Sequence, residues 1–478
     1  MIVGAWPEIV GGVCNYTRPL HYALAERGAE VHYLFSGATK GDYDFKWKSY
    51  LRELRKTDNI VWYEIVNSKN MIHNYFNPLL DIESKATERI IGDLLDRVRP
   101  DVMHVHEIIG LPSSIIDQAL ERGINVFVTV HEYWWLCQHR VMVDYNGRVC
   151  DGPYNIQRCS FCVSQRRENQ KSATFRAKLR FTLKNRTPRL FQIWTMTKSK
   201  FEKTKEPTTT VNLEWGNIDY LALYEKDAAL EKALVKRLWK NIERLNKVRK
   251  VIAVSNDVKD ILIRYGVRSE NITVQHIGSD LHGENRSHRK QVDPSLITLG
   301  YIGGVGYYKG VHNLVEVFTR LPDGLKMKAE LKIFGAYDKS YYNAIRQRYL
   351  MNQIDADRVK FYGRYSKNDL DEILNQIDIM VLPSLCNDTA PQTLFEAYSA
   401  QIPVIAPNIG GFPDFVKQNY NGLLYNPNEP DALLRQLECI ILRSSDIERF
   451  RRNIPLCKTI DENVDELMAL YSSRGQTE

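Results

Sequence analysis

Residues 377–411 restrict the fold of this chain more than any other stretch. The run at 377–382 is short, apolar and branched, and Pro383-Ser384 ends it. Leu394, Ala397 and Tyr398 follow Pro391 at helical spacing, and a second apolar run, PVIA at 403–406, leads into Gly410-Gly411. A buried strand, a helix and another buried strand in so short a span close as a βαβ unit of a parallel sheet.

Two acids sit inside this unit. Asp388 falls on the loop after the first strand and Glu396 within the helix, with seven residues between them. Ligands of open parallel sheets bind beyond the carboxyl ends of the strands. A helix N-terminus there offers bare N–H groups that suit a phosphate. Thr389, Ala390, Pro391, Gln392 and Thr393 form that approach. An Asp before a helix also serves as a plain N-cap, so spacing alone leaves both readings open.

The rest of the chain repeats the rhythm. Residues 1–5 read as a strand, Gly11-Gly12 precede a helix over 14–26, Gly28 stops it, and residues 30–35 are the next strand. Strands at 60–66, 102–107 and 125–130 alternate with helices at 86–98 and 111–122. Such alternation builds a doubly wound parallel sheet. His131 follows directly on the strand at 125–130. His104 and His106 share one face of a buried strand, as ordinary core histidines do, while Glu107 is free to face a cleft.

The rhythm breaks at 137–165, which reads as a loop-like insertion, and at the basic stretch that follows. Residues 166–206 hold 13 Lys or Arg against 3 Asp or Glu, which accounts for the net charge of +7. Its charges alternate with Leu and Phe, the pattern of a surface or membrane-lying helix. Residues 207–216 read as irregular. Leu230, Leu234, Leu238, Ile242 and Leu245 mark a long amphipathic helix. Strands at 251–255 and 273–277 finish the first half, and the polar stretch 279–295 is a linker. The second half opens with a strand at 297–304, continues through a helix at 313–321 and strands at 329–334 and 359–362, and ends in helices over 431–442 and 444–473.

Hydrophobic residues make up 44% of the chain and no apolar run nears the ~20 residues of a membrane span. The N-terminus lacks the basic and apolar blocks of a secretory signal. These features predict a cytoplasmic protein.

Four of the eight cysteines, Cys137, Cys150, Cys159 and Cys162, are spaced C-x12-C-x8-C-x2-C. A Cys-x-x-Cys hook with two further thiolates can close a tetrahedral structural zinc site. An iron–sulfur cluster, a disulfide pair or free thiols fit the same residues. Four thiolates leave no open position, so a catalytic metal is not expected here.

The segment 383–416 resembles the signature of the family 4 (group 1) retaining glycosyltransferases. It carries PS at 383–384, EA at 396–397, PVIA at 403–406 and GG at 410–411. Further points of resemblance are Gly11-Gly12, His131, VIAVS at 251–255, YIGGVGYYKG at 301–310 and FYGRY at 361–365. The resemblance implies a GT-B fold, with two Rossmann-like doubly wound parallel-sheet domains facing a cleft. The expected division is an N-terminal domain over 1–285, with the basic helical segment at 166–250, and a C-terminal nucleotide-sugar domain over 296–445. Helices over 446–478 are expected to pack back toward the first domain.

The same resemblance implies site roles. Gly11 and Gly12 face the donor phosphates, and His131 contacts the donor sugar. Lys309 and the helix N-terminus after Pro391 stabilise the leaving diphosphate without a metal. Glu396 holds the ribose, and Asp388 the sugar or its cationic transition state. The chain departs from the family at two points: Asp388 replaces the usual Glu, and Gly304 stands where an Arg is common. Arg364 is a candidate replacement for that charge.

The implied activity moves a sugar from a UDP- or GDP-linked donor to an acceptor hydroxyl, with retention, in surface glycan or glycolipid synthesis. The implied acceptor is a glycan or a lipid-linked molecule, and the basic segment suits peripheral contact with an anionic membrane. Nucleic acid is not an expected partner. The competing readings are a degenerate core that binds nucleic acid or a membrane surface, and a sugar-nucleotide epimerase.

Overall fold

The computed structural model describes residues 1–6, 11–37, 49–68, 74–145, 147–150, 152, 155–167, 223–280 and 291–473. The basic segment from 168, the irregular stretch 207–216 and most of the linker at 279–295 lie outside the described residues.

Two sheets organise the chain. The first contains β1 (Ile2–Val3), β2 (Val31–Ser36), β3 (Tyr50–Lys56), β4 (Ile60–Val66), β5 (Val102–Val105), β6 (Asn125–Val130), β7 (Lys250–Ala253) and β8 (Ile272–Val274). Their spatial order is β3-β4-β2-β1-β5-β6-β7-β8. The second contains β9 (Ile297–Ile302), β10 (Ala329–Phe334), β11 (Val359–Gly363), β12 (Ile379–Val381), β13 (Val404–Pro407) and β14 (Gly422–Tyr425), in the order β11-β10-β9-β12-β13-β14. Every pairing in the second sheet is parallel. Each sheet reverses its winding once, between β1 and β5 and between β9 and β12. A crevice opens at such a point because the two flanking crossovers leave in opposite directions.

Most predicted elements stand within a few residues of their expected limits, and the differences have clear causes. β3 pairs antiparallel with β4. Its sequence, YLRELRK, is half-exposed to exposed and strongly charged, as edge strands are when they must not pair further, and that charge hides it from an apolar pattern. The insertion at 137–165 is not all loop: residues 156–167 are helical. The helical stretch expected over 444–473 is two helices, Ser445–Arg452 and Ile460–Ser472. Pro455 interrupts them, and Thr459 starts the second through a capping box with Glu462.

That last helix belongs to the second half in sequence but lies on the first domain in space. Tyr16 Oη donates to Asn463 Oδ1 at 2.7 Å, and Arg27 Nε to Asp465 Oδ1 at 2.8 Å. Tyr471 Oη and His104 Nδ1 stand 2.5 Å apart. Ile460, Val464 and Leu467 join a core that runs through β1, β2 and helix Gly12–Glu26 into one face of the second sheet.

Helix Ala228–Leu245 returns the chain to the first sheet after the insertion. Its buried face carries Arg237, Asn241 and Arg244 beside Leu230, Leu234, Ile242 and Leu245. Arg237 Nε donates to Asp81 Oδ2 at 2.7 Å and its Nη2 to the Trp134 carbonyl at 2.6 Å. Asn241 bridges Ser113 and the Trp135 carbonyl. Both charges of the Arg237–Asp81 pair are almost wholly buried, so removing one strands the other. Arg237→Ala is expected to lower stability by about 3–5 kcal/mol. A denaturant melt of the variant against the parent reads this directly.

Candidate active site

The two reversal points face each other across one cleft. From the first domain come the loop after β1 (Gly4, Ala5, Trp6), Gly11-Gly12 at the start of helix Gly12–Glu26, the loop after β5 with Glu107, and His131 after β6. From the second come Lys309, Asp388, Thr389, Ala390, Pro391, Gln392 and Thr393. Together they enclose a cavity of about 600 Å³. A Cβ on Gly12 would sit 3.7 Å from Gln392 Cγ, an ordinary contact, and one on Gly11 would meet nothing within 4 Å, so the two domains approach each other closely here.

Close backbone packing fixes the second-domain loops. Gly310 has φ of +68°, and a Cβ there would lie 1.9 Å from the Pro383 carbonyl oxygen. No other residue type allows both. The Leu385 N–H donates to the Tyr308 carbonyl at 2.9 Å, so the loops after β9 and β12 run against each other. Lys309 therefore meets Asp388, with Nζ 2.9 Å from Oδ1 and 2.7 Å from Oδ2. Ser384 Oγ adds a hydrogen bond to Asp388 Oδ2 at 3.0 Å. Beneath this loop lies the glycine pair. Gly410 has φ of +59° with the Asp388 backbone 2.6 Å from its absent Cβ, and the Gly411 N–H donates to the Asp388 carbonyl at 2.7 Å.

Beyond Asp388 the chain enters helix Gln392–Ser399 through Pro391, which supplies no side-chain cap. The first N–H groups of that helix have no acceptor within it and open onto the cavity. Thr389 Oγ1 donates to the His131 carbonyl at 2.5 Å, which fastens this loop to β6.

Glu396 is placed differently. It lies one turn further along the helix, outside the residues that line the cavity, with Oε2 buried and without a hydrogen-bond partner among the described residues. Burial pushes its carboxyl up to about 7, the charge of Asp280 adds to this, and Lys367 opposes it. One of its oxygens is thus held out of water and without a donor among the described residues.

His131 is held by Nε2 against His106 Nδ1 at 3.1 Å, with its ring on Tyr16. Burial pulls its pKa down to about 3, so it is a neutral ring at working pH. One nitrogen of the His106–His131 contact must carry the proton and the other accept it.

Besides Glu396, two predicted residues fall outside the cavity. Arg364 is exposed on the loop after β11. Gly304 does not line the cleft; its carbonyl accepts from Tyr301 Oη at 2.7 Å, and a Cβ would meet nothing within 4 Å. The guanidinium that does line the cleft is Arg140, in left-handed backbone with φ of 74°. Its Nε and Nη2 both donate to Glu132 Oε2. Burial pushes the Glu107 carboxyl up to about 7, helped by the charge of Glu132 and opposed by Arg140. Sequence reasoning missed Glu132 and Arg140. The one available signal was the position of Glu132 directly after His131. The four cysteines gather around a separate cavity, and among the described residues no three His, Cys, Asp or Glu side chains are grouped to hold a metal.

Two family models match adjoining parts of the chain: "Glycosyltransferase Family 4" over residues 139–282 and "Glycosyl transferases group 1" over 284–455. The chain belongs to the family 4, group 1 glycosyltransferases. A glycosyltransferase of Methanocaldococcus jannaschii without a characterised reaction is 25% identical over 191 residues, 39% of this chain and 47% of that one. The sulfoquinovosyl transferase of Arabidopsis thaliana is 23% identical over 221 residues, 44% of this chain and 41% of that one. The match thus spans less than half the length of these curated relatives. Among solved structures, Anabaena HepE in complex with UDP and glucose superposes with a TM-score of 0.54 at 13% identity, covering 99% of each chain. The fold is GT-B, and the cleft just described is the one its two domains form.

The loop packing of this glycosyltransferase is testable. Gly310→Ala is expected to cost at least about 1 kcal/mol from the left-handed backbone alone, and more from the Pro383 clash. Gly304→Arg, with open space around it, should stay within about 0.5 kcal/mol of the parent. Thermal melts of the two variants side by side check both expectations.

Proposed function

We propose that this chain transfers a sugar from a UDP- or GDP-linked donor to an acceptor hydroxyl, with retention at the anomeric carbon. The observation that carries this reading is the layout of one helix. Its N-terminus opens onto the cavity beside Lys309, and one turn on, Glu396 holds a buried Oε2 with no donor among the described residues. A nucleoside diphosphate has complementary groups in the same order. Its phosphates suit the N–H groups and Lys309, and its ribose hydroxyls are the donors that Glu396 lacks.

On this reading Lys309 and the helix dipole stabilise the charge that grows on the departing diphosphate. The neutral His131 contacts the sugar. Asp388 stands at the reacting end, where its charge steadies an oxocarbenium-like transition state. Both of its oxygens are engaged by Lys309 and Ser384, which makes it a poor nucleophile. Retention then follows if the acceptor attacks from the face the diphosphate leaves, with the departing phosphate oxygen taking its proton. The acceptor reaches the sugar through the first-domain wall, past Glu107 and Gly11-Gly12. A lipid-linked or surface glycan acceptor agrees with the excess of Lys and Arg at 166–206, which would hold the protein to an anionic membrane.

A panel of UDP- and GDP-sugars, assayed for donor hydrolysis and transfer with the anomer of the product determined, tests the proposal. Transfer with retention from one donor is expected; an inverted product, or no thermal stabilisation by any nucleotide, would remove it. Lys309→Ala should lower kcat on the order of 10²–10³-fold in single-turnover measurements.

Glu396 gives a pH signature. Its carboxyl is pushed up to about 7, so the ribose-accepting carboxylate forms as pH rises through that value. Donor KM should therefore fall between pH 6 and about 8 and then level off. Glu396→Gln should raise KM by roughly 10–100-fold and flatten that limb of the profile.

A further inference from the structure

A second cavity, of about 330 Å³, lies between the segment after β6 and helix Ala228–Leu245, and shares no lining residue with the cleft. Cys137, Cys150, Cys159 and Cys162 all line it. They come from three places in the segment, 137, 150 and 159–162, and line one cavity without being grouped on one centre. Cys159 and Cys162 stand one turn apart on the helix at 156–167 and share a face.

Three of the four sulfurs accept hydrogen bonds from N–H groups. The N–H of His139 donates to Cys137 Sγ at 3.3 Å, and that of Gly152 to Cys150 Sγ at 3.3 Å. In both, the donor is the amide two residues after the cysteine. Arg158 Nη2 reaches Cys150 Sγ at 3.3 Å and Arg166 Nη1 reaches Cys162 Sγ at 2.8 Å. Amides and guanidiniums aimed at sulfur favour its anion. N–H donors stand on three of the four sulfurs along one cavity wall, and hydrogen bonds of this kind hold the ligating thiolates of a metal site in place.

We propose that Cys137, Cys150, Cys159 and Cys162 bind one zinc ion as a structural site. The four sulfurs line the cavity without being closed on one centre, so the ion draws them inward as it replaces their protons. Zinc takes four thiolates tetrahedrally and leaves no open position, so the site does no chemistry of its own. It holds the wall on which the Lys309 loop rests. His139 Nε2 stands 3.1 Å from Tyr308 Oη, and the Gly147 backbone packs against the Tyr307 ring. The site therefore reports on donor binding from outside the cleft.

The test uses the full chain, expressed with added zinc and purified without chelator. Plasma mass spectrometry should find about one zinc per chain, and the double variant Cys159→Ser/Cys162→Ser should lose it. Should that variant not fold, the parent still decides the matter. Cobalt(II) added after chelation should give the intense thiolate charge-transfer and visible bands of a tetrahedral sulfur site. Zinc should also shield these four thiols from alkylation, read peptide by peptide, while labelling of Cys439, outside the cavity, should not depend on zinc. Chelation should weaken donor binding several-fold without touching Lys309. Zinc well below one per chain with no cobalt bands would overturn the proposal. So would a disulfide between any two of the four, or a brown iron–sulfur chromophore.

Discussion

The Pro383 carbonyl occupies the place of a side chain at residue 310. Much of the second domain's site rests on that contact. Because the loops after β9 and β12 touch backbone to backbone, Lys309 is delivered to Asp388 without a long side-chain reach. The glycine pair at 410–411 repeats the device on the other side and lets the Asp388 loop lie flat on the turn after β13. The glycines of this signature are thus spacing elements. They remove side chains where three loops converge, and the ion pair between Lys309 and Asp388 forms in the space they leave.

The first domain meets that platform with backbone and rings more than with ion pairs. Thr389 is tied to the His131 carbonyl, Gln392 faces Gly12, and Tyr308 meets His139. These contacts come from three separate loops. The cleft is therefore framed by direct contact between domains, and charge balance inside it is local: Lys309 against Asp388, Arg140 against Glu132. On the proposed reading, a donor phosphate that enters this space competes with Asp388 for Lys309.

Much of this was legible in the sequence, because apolar runs and glycine–proline punctuation report directly on buried strands and their ends. The unit at 377–411 is visible for that reason, and so are the positions of Asp388 and Glu396 on loop and helix. What escaped was of two kinds. β3 carries its pairing in backbone hydrogen bonds under a charged surface, so its side chains say little. The relations between distant residues are invisible for a different reason: no local pattern ties Arg140 to Glu132 or Asn463 to Tyr16. Arg364 shows the converse. Its residue type suited a missing charge, but the loop after β11 turns it to solvent. The Asp388–Lys309 pair lies between these cases, since both residues were singled out for the site and their mutual contact was not.

The chain passes between the domains twice, and the two passages meet at Ser279 and Thr459. Ser279 N–H donates to the Lys458 carbonyl and Ile460 N–H to the Ser279 carbonyl, at 2.9 and 3.1 Å. A side chain on Gly278 would strike the Thr459 carbonyl. The end of the first domain and the start of the last helix are thus tied to each other at the domain boundary. Thr389 on His131 and Tyr308 on His139 join the same two domains across the cleft, so parting the cleft walls would break both contacts together.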